Sequence, residues 1–316
     1  MRLIVAFVIG FAALGASAQS FVPTKTVTMV VPNPPGGAVD IQARVFAQAL
    51  QQLWGKPVIV EYKPGAGTAV GMEYTAKSDP DGHTLCVVVT PLVILPALRQ
   101  LPYDTLRDLA PVMLTGTSPI MIAGSPSLAA SNLREVIELA KKNPGKLNYG
   151  SPGSGSSMHL AGELIKQEAG IDMLHVPFKG NAQAYPELMA GRIDLLLDPI
   201  YSILRFIQQG KMKAIAVTSR TRNPAAPDVP TVAETIPGFE VLSISGIVVA
   251  GRTPPDIVKR LNADLRKTLA QPDVRKRMQD SGIDITGSSP EEFGAFIRTE
   301  IARWTRVAKA ANIKLD

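Results

Sequence analysis

Apolar residues along the chain follow two rhythms. Val27, Met29, Val30 and Val31, then Val58-Ile59-Val60, then Leu85 to Val89 are short apolar runs, as expected of strands buried on both faces. Between the first two, Val39, Ala43, Phe46, Leu50 and Leu53 recur at helical spacing, until Gly55 and Pro57 stop the helix. Pro64-Gly65-Ala66-Gly67 makes a turn, and Thr68 is placed to cap a helix running to Ala76. The order is βαβαβ, the opening of a doubly wound sheet. Right-handed crossovers put the three strand exits, Asn33–Ala38, Tyr62–Thr68 and Thr90–Leu92, on one edge of it.

The same rhythm restarts after Pro111. Val112 to Ala123 reads as a long strand, and Asn132 caps a helix from Leu133 to Lys142. A strand at Leu147–Tyr149 runs into Gly150-Ser151-Pro152-Gly153-Ser154-Gly155-Ser156-Ser157 and a helix from Met158 to Ala169. A strand at Leu174–Val176 follows, then a helix from Gln183 to Ala190 with Pro186 in its first turn. Leu195–Asp198 and Ala214–Val217 are buried strands. Val241 to Ala250 is a long apolar return segment. Pro254-Pro255 open a helix, and Ser289-Pro290-Glu291-Glu292 is a capping box for the last one. Two crossings, near 112–123 and 241–250, predict two hinge strands between two α/β lobes, with glycine-rich loops of both lobes facing a cleft. The predicted limits are a leader at 1–18, a first lobe at 19–118 plus 246–316, and a second lobe at 119–245.

Composition narrows the picture. At 316 residues and 46% hydrophobic, the chain has material for two cores. Met1-Arg2, an apolar run from Leu3 to Ala16, and Ala16-Ser17-Ala18 form a secretory signal. Removing it lowers the net charge from +6 to +5. The basic residues are scattered and not interleaved with aromatics, which argues against nucleic-acid binding. One cysteine, Cys86, leaves no intrachain disulfide, so the cores must hold the fold.

The loops carry the candidate chemistry. In Val27–Asp40, Pro32, Pro34 and Pro35 end a strand, Gly36 and Gly37 open the backbone, and a helix follows. Its N-terminus, with about half a positive charge, suits a carboxylate or phosphate; a plain tight turn fits the same residues. The loop at 151–157 has this architecture too, with the hydroxyls of Ser154, Ser156 and Ser157 as added donors, or is a polar turn capping a helix. Asp198 ends an apolar strand at the cleft edge and could hold an ammonium or water. His83, His159 and His175 lack metal-ligand spacing, and no Walker loop, dinucleotide fingerprint or nucleophile elbow is present. No metal, cofactor or catalytic set is expected.

V-P-N-P-P-G-G-A-V-D (31–40), G-K-P-V-I-V-E-Y-K-P-G-A-G (55–67), P-D-G-H-T-L (80–85), L-P-Y-D (101–104), N-Y-G-S-P-G-S-G-S-S-M-H-L-A-G-E-L (148–164), H-V-P-F-K-G (175–180) and P-D-V-P-T-V-A-E (227–234) appear in order. With these the chain resembles the Bug-type periplasmic solute-binding proteins, receptors of tripartite tricarboxylate transporters. The resemblance implies a two-lobed periplasmic-binding-protein architecture that closes on a small organic carboxylate, held by backbone N–H groups and water. It points to Pro35, Gly36, Gly37 and Ala38 in one lobe and to Gly153, Ser154, Gly155, Ser156 and Ser157 in the other. Asp198, Thr90 and Lys179-Gly180 are further candidates. Asn33 and His83 replace an aromatic and a tyrosine usual in the family. Ser243-Ile244-Ser245-Gly246 replaces a segment with two large rings, which makes Ser243 and Ser245 candidates for an altered cleft wall. The implied protein is a monomeric periplasmic receptor serving membrane permease subunits, not an enzyme. The alternatives are a sensor subunit presenting its ligand to a membrane signalling protein, and a serine hydrolase with Ser154, Ser156 or Ser157 as nucleophile and His159 or His175 as base.

Overall fold

The computed structural model describes residues 23–36, 38–178, 180–280 and 282–313. The leader, Gly37 and Lys179 lie outside the described residues. The first half is β1 (Val27–Val31), α1 (Ala38–Trp54), β2 (Val58–Tyr62), α2 (Ala69–Ala76), β3 (Thr84–Val89) and α3 (Pro91–Leu98). β4 (Leu109–Gly124) leads to α4 (Leu133–Lys142), β5 (Asn148–Ser151), α5 (Ser157–Ala169), β6 (Leu174–Pro177), α6 (Asn181–Met189), β7 (Leu195–Pro199), α7 (Ile200–Gln208) and β8 (Lys213–Val217). The chain closes with β9 (Leu242–Ala250), α8 (Pro255–Leu269), α9 (Pro272–Asp280), β10 (Asp284–Ile285) and α10 (Pro290–Ala310).

The two halves repeat one topology. β1 pairs in parallel with β2 and β3, and β5 pairs in parallel with β6 and β7. Each trio is completed by antiparallel strands, β9 beside β3 and β4 beside β7. β1 and β3 are apolar on both faces because both are covered. Val27, Met29 and Val31 are buried in one cluster with Phe46, Leu50, Leu261 and Leu265, whereas Val30, Cys86 and Val88 belong to another with Met72 and Leu92. Each such side chain contributes about 1.5–3 kcal/mol on burial, so no disulfide is needed; Cys86 is a buried free thiol.

β4 joins the halves. Leu109 to Pro119 pair with β9, and Ile120 to Gly124 pair with β7, so the strand changes partners between Pro119 and Ile120. One buried residue, Thr218, holds both crossings there. Its backbone N–H donates to the Ile120 carbonyl at 2.9 Å, and its hydroxyl accepts from the Ile120 N–H at 2.9 Å. Its carbonyl accepts from the Val241 N–H at 3.0 Å. α10 also spans the junction: Phe293, Trp304 and Val307 are buried, and Gln167 of α5 donates to the Val307 carbonyl at 3.2 Å.

Three local expectations need correction. Thr68 does not cap α2: it is left-handed (φ 85), its hydroxyl makes no capping bond, and Oγ1 is buried without a partner among the described residues. A cap reaches the N3 amide from extended backbone. Pro186 lies inside α6, not in its first turn, because the helix starts earlier, at Asn181. Residues 90–92 are not a loop: Pro91 opens α3, whose P-L-V-I-L-P-A-L composition has no helical period to read.

Candidate functional site

A cavity of about 380 Å³ lies between the two halves, with walls from the start of α1, the end of β3, the middle of β4, the start of α5, the start of α7 and the beginning of β9. This is where the repeated topology puts a ligand, outside the carboxyl ends of the strands at each switch point. Thr90, Ser156, Ser157, Ser243 and Ser245 line it. Thr90 accepts the Ile244 N–H at 3.1 Å, and the Ser245 hydroxyl is bonded to Gln42. Both hydroxyls thus brace the cleft wall. Pro35 and Gly36 are exposed on the loop ahead of α1, and Ala38 is its first residue. Gly153, Ser154 and Gly155 form the loop ahead of α5.

The first loop carries its own anion. The Gly36 N–H donates to the Asp40 carboxylate at 2.8 Å. Arg44 Nε and the Tyr62 hydroxyl donate to the other carboxylate oxygen at 2.8 and 2.7 Å. Burial pushes this carboxyl up, but the bonds from Gly36, Tyr62 and Arg44 outweigh it and hold it below its ordinary range. At this end of α1, the Val39 N–H has no partner among the described residues.

The second loop is held by neutral groups. Ser156 N-caps α5: its hydroxyl accepts the His159 N–H at 3.2 Å and donates to the Gly153 carbonyl at 2.7 Å. The Gly155 N–H donates to His159 Nδ1 at 3.0 Å. The His159 and His175 rings stack with centroids 3.8 Å apart, and Ser151 Oγ lies 2.7 Å from His175 Nε2. Below them Tyr149 donates to Glu163 at 2.7 Å, and Lys166 pairs with Glu163 at 3.0 Å. Burial, helped by Lys166, pushes His159 down to about 4; burial and the neighbouring His159 do the same to His175. Both rings are therefore neutral at pH 7. The N–H groups left at this helix end are those of Ser157 and Met158, which have no partner among the described residues. The Ser156 hydroxyl is engaged with backbone, not with a ring nitrogen, and so lacks the base a nucleophile needs.

Asp198 is fully buried in β7 and is not part of the cavity lining. Burial pushes its carboxyl up to about 7, against the pull of the Tyr185 hydroxyl 2.7 Å away. Sequence reasoning missed Gln42, Ser118, Met158, Tyr201 and Ile283, all in the cavity wall. Tyr201 packs against the backbone of Gly282, where a Cβ would lie 2.2 Å from its ring. That contact joins α7 to the segment before β10, across the cleft. The only available signal was position: each follows or flanks a crossing or a strand exit.

Two similar α/β units, two crossing strands and a cleft at paired helix ends define a two-lobed solute-binding protein. Residues 42–313 match the model of the tripartite tricarboxylate transporter family receptor, and the chain belongs to that family. It is 37% identical to a protein of Pseudomonas sp. strain P51 encoded in the tcbD–tcbE intergenic region, covering 90% of this chain and 86% of that one. It is similar in structure to the periplasmic binding protein BugD, with 32% identity, a TM-score of 0.75, and coverage of 92% and 99%. It is similar also to MatC from Rhodopseudomonas palustris with bound malate, with 32% identity, a TM-score of 0.75, and coverage of 90% and 99%. The family and these structural relatives are binding proteins, and this chain is a solute-binding receptor rather than an enzyme.

Proposed function

We propose that this receptor captures a small organic carboxylate between its lobes in the periplasm and hands it, as a monomer, to the permease subunits of a tripartite tricarboxylate transporter. The leader at 1–18 directs export. The lobes are 19–118 plus 246–316 and 119–245; the partner exchange of β4 at 119/120 and the tie of Val241 to Thr218 fall at or near those limits. The observation that carries the reading is the cavity wedged between the starts of α1 and α5. Both helix ends direct backbone N–H groups and partial positive charge toward an anion. Gly36 and Gly155 shape the loops, since their own N–H groups are already engaged, while Ala38 and Ser157 supply donors. The family resemblance alone adds Gly37 and Lys179 as candidate contacts, and Asp198 is buried outside the cavity lining. MatC, solved with malate, sets the chemical precedent. Closure dries the site and strengthens each bond.

A thermal-shift panel of di- and tricarboxylates, amino acids and aromatic acids tests this. A ligand at about 100 times its Kd stabilises by about 2.7 kcal/mol, so at least one acid should raise Tm by several degrees. No shift at millimolar concentration with any of them would remove the reading.

A further inference from the structure

Beyond the two helix ends, the described part of the cleft wall carries no formal charge. Among the described residues lining the cavity there is no Lys, Arg, His, Asp or Glu. The wall is built from Val39, Val89, Met158, Ile244 and Ile283, with short neutral polar side chains between them. A second carboxylate on the ligand would be stripped of water there with no cation among these residues to meet it, a cost of several kcal/mol per ion. The Asp40 carboxylate beside the first helix end adds repulsion rather than relief.

Two polar atoms of this wall have no partner. Ser118 is 5% exposed and its Oγ makes no hydrogen bond; Asn33 Oδ1 is likewise buried and unsatisfied. Both residues line the same cavity, Ser118 from β4 and Asn33 from the loop after β1. A buried polar atom without a partner costs about 1–3 kcal/mol, a cost relieved by a neutral group on the ligand. Asn33 Oδ1 accepts and a serine hydroxyl both donates and accepts, so a hydroxyl suits either. A second carboxylate suits neither Asn33 Oδ1 nor the surroundings.

Resting on the receptor reading above, we infer that the ligand is a singly charged carboxylate with an apolar body and one neutral hydroxyl, selected by Asn33 and Ser118. The carboxylate lies at the helix ends, the body against the aliphatic wall, and the hydroxyl against one or both of these side chains.

Two matched series read this by titration calorimetry: hexanoate, 6-hydroxyhexanoate and adipate; benzoate, 4-hydroxybenzoate and terephthalate. In at least one series the hydroxy acid binds tenfold or more tighter than the diacid. Asn33→Leu or Ser118→Ala then brings the hydroxy acid to within about threefold of its unsubstituted parent, with the ligand-free Tm confirming that the variant is folded. Equal or tighter binding of the diacid in both series overturns the inference. So does binding of malate or citrate with none of the singly charged acids bound; the receptor reading survives that result. If no acid of either kind binds, the receptor reading itself falls.

Discussion

The two loops that face the cleft come from the same topology and are built by opposite means. The loop at 33–38 is held by a carboxylate: Asp40 gathers Gly36, Arg44 and Tyr62, and the Arg44 side chain is 57% exposed. The loop at 151–157 is held by two stacked neutral histidines, a serine N-cap and a buried tyrosine. The consequence is electrostatic. Asp40 cancels part of the positive end of α1, while nothing charged stands at the start of α5. The second loop therefore contributes more of the field that holds an anion, and the first contributes shape. The two also differ in what disturbs them. A network whose cationic partner reaches water, as Arg44 does, is forgiving, whereas stacked buried rings lose packing and a bond together.

The largest expected effect separates them directly. His159→Ala removes a buried ring from contact with His175 and Tyr149 and leaves the Gly155 N–H without its acceptor. It should cost about 3 kcal/mol. Asp40→Ala loses three hydrogen bonds to a carboxylate that is itself buried, but Gly36 and Arg44, which it frees, are exposed and can turn to water, and about 2 kcal/mol is expected. Urea melts of the ligand-free variants measure both. A larger cost for Asp40→Ala would mean that the carboxylate, not the histidine pair, is the stronger brace.

A second effect uses pH. His159 and His175 titrate near 4 in the folded chain and near 6.5 unfolded. A depressed histidine makes the unfolded state bind more protons, so stability falls as pH drops from about 6.5 to about 4. Asp198, raised to about 7 from about 3.9, acts oppositely: its cost is full above pH 7 and is relieved as pH falls toward 3.9. The two windows overlap and largely cancel. Asp40, Asp108 and Glu234, all held low, surrender their contributions only below about pH 4. Asp198→Asn should therefore uncover the histidines. That variant is expected to lose about 1–2 kcal/mol between pH 7 and pH 5, after discounting for partial hydration of the rings, and the parent less. If Asp198→Asn is as stable at pH 5 as at pH 7, the second loop does not depend on neutral histidines.

How far the sequence foretold this molecule divides along the same line. Strands, most helices, the two crossings and the capping boxes at Thr231 and Ser289 are local patterns, and period or composition exposes them; the Ser289 box was read and the Thr231 one was not. α3, α7 and α9 went unread, α3 because a uniformly apolar run has no period. The glycine-rich loops were visible as anion sites, but what holds them was not. Asp40 could be placed in a first helical turn, yet its bond to Tyr62 spans 22 positions. His159 meets His175 through the parallel pairing of β5 with β6, which no spacing announces. Ser118 and Tyr201 reach the cleft only because β4 and α7 start or cross there. Long-range register decides these contacts, and a single sequence does not print it.

The smallest effect tests shape alone. Gly36 (φ 93) and Gly153 (φ 138) both occupy backbone that L side chains avoid. A Cβ at Gly36 would meet nothing within 4 Å, and one at Gly153 would meet only the Phe178 carbonyl at 3.5 Å, an ordinary contact. Alanine at either site should thus cost about 1 kcal/mol of backbone strain and no collision. Their effects on ligand should part company. The Gly153 carbonyl accepts from the hydroxyls of Ser151 and Ser156, so strain there passes to the N-cap of α5. Strain at Gly36 is absorbed by an exposed loop tied at a single carboxylate. Calorimetry with whichever acid binds best should show Gly153→Ala weakening affinity several-fold more than Gly36→Ala. An equal or larger loss from Gly36→Ala would mean that the first loop, despite Asp40, holds the anion as firmly as the second.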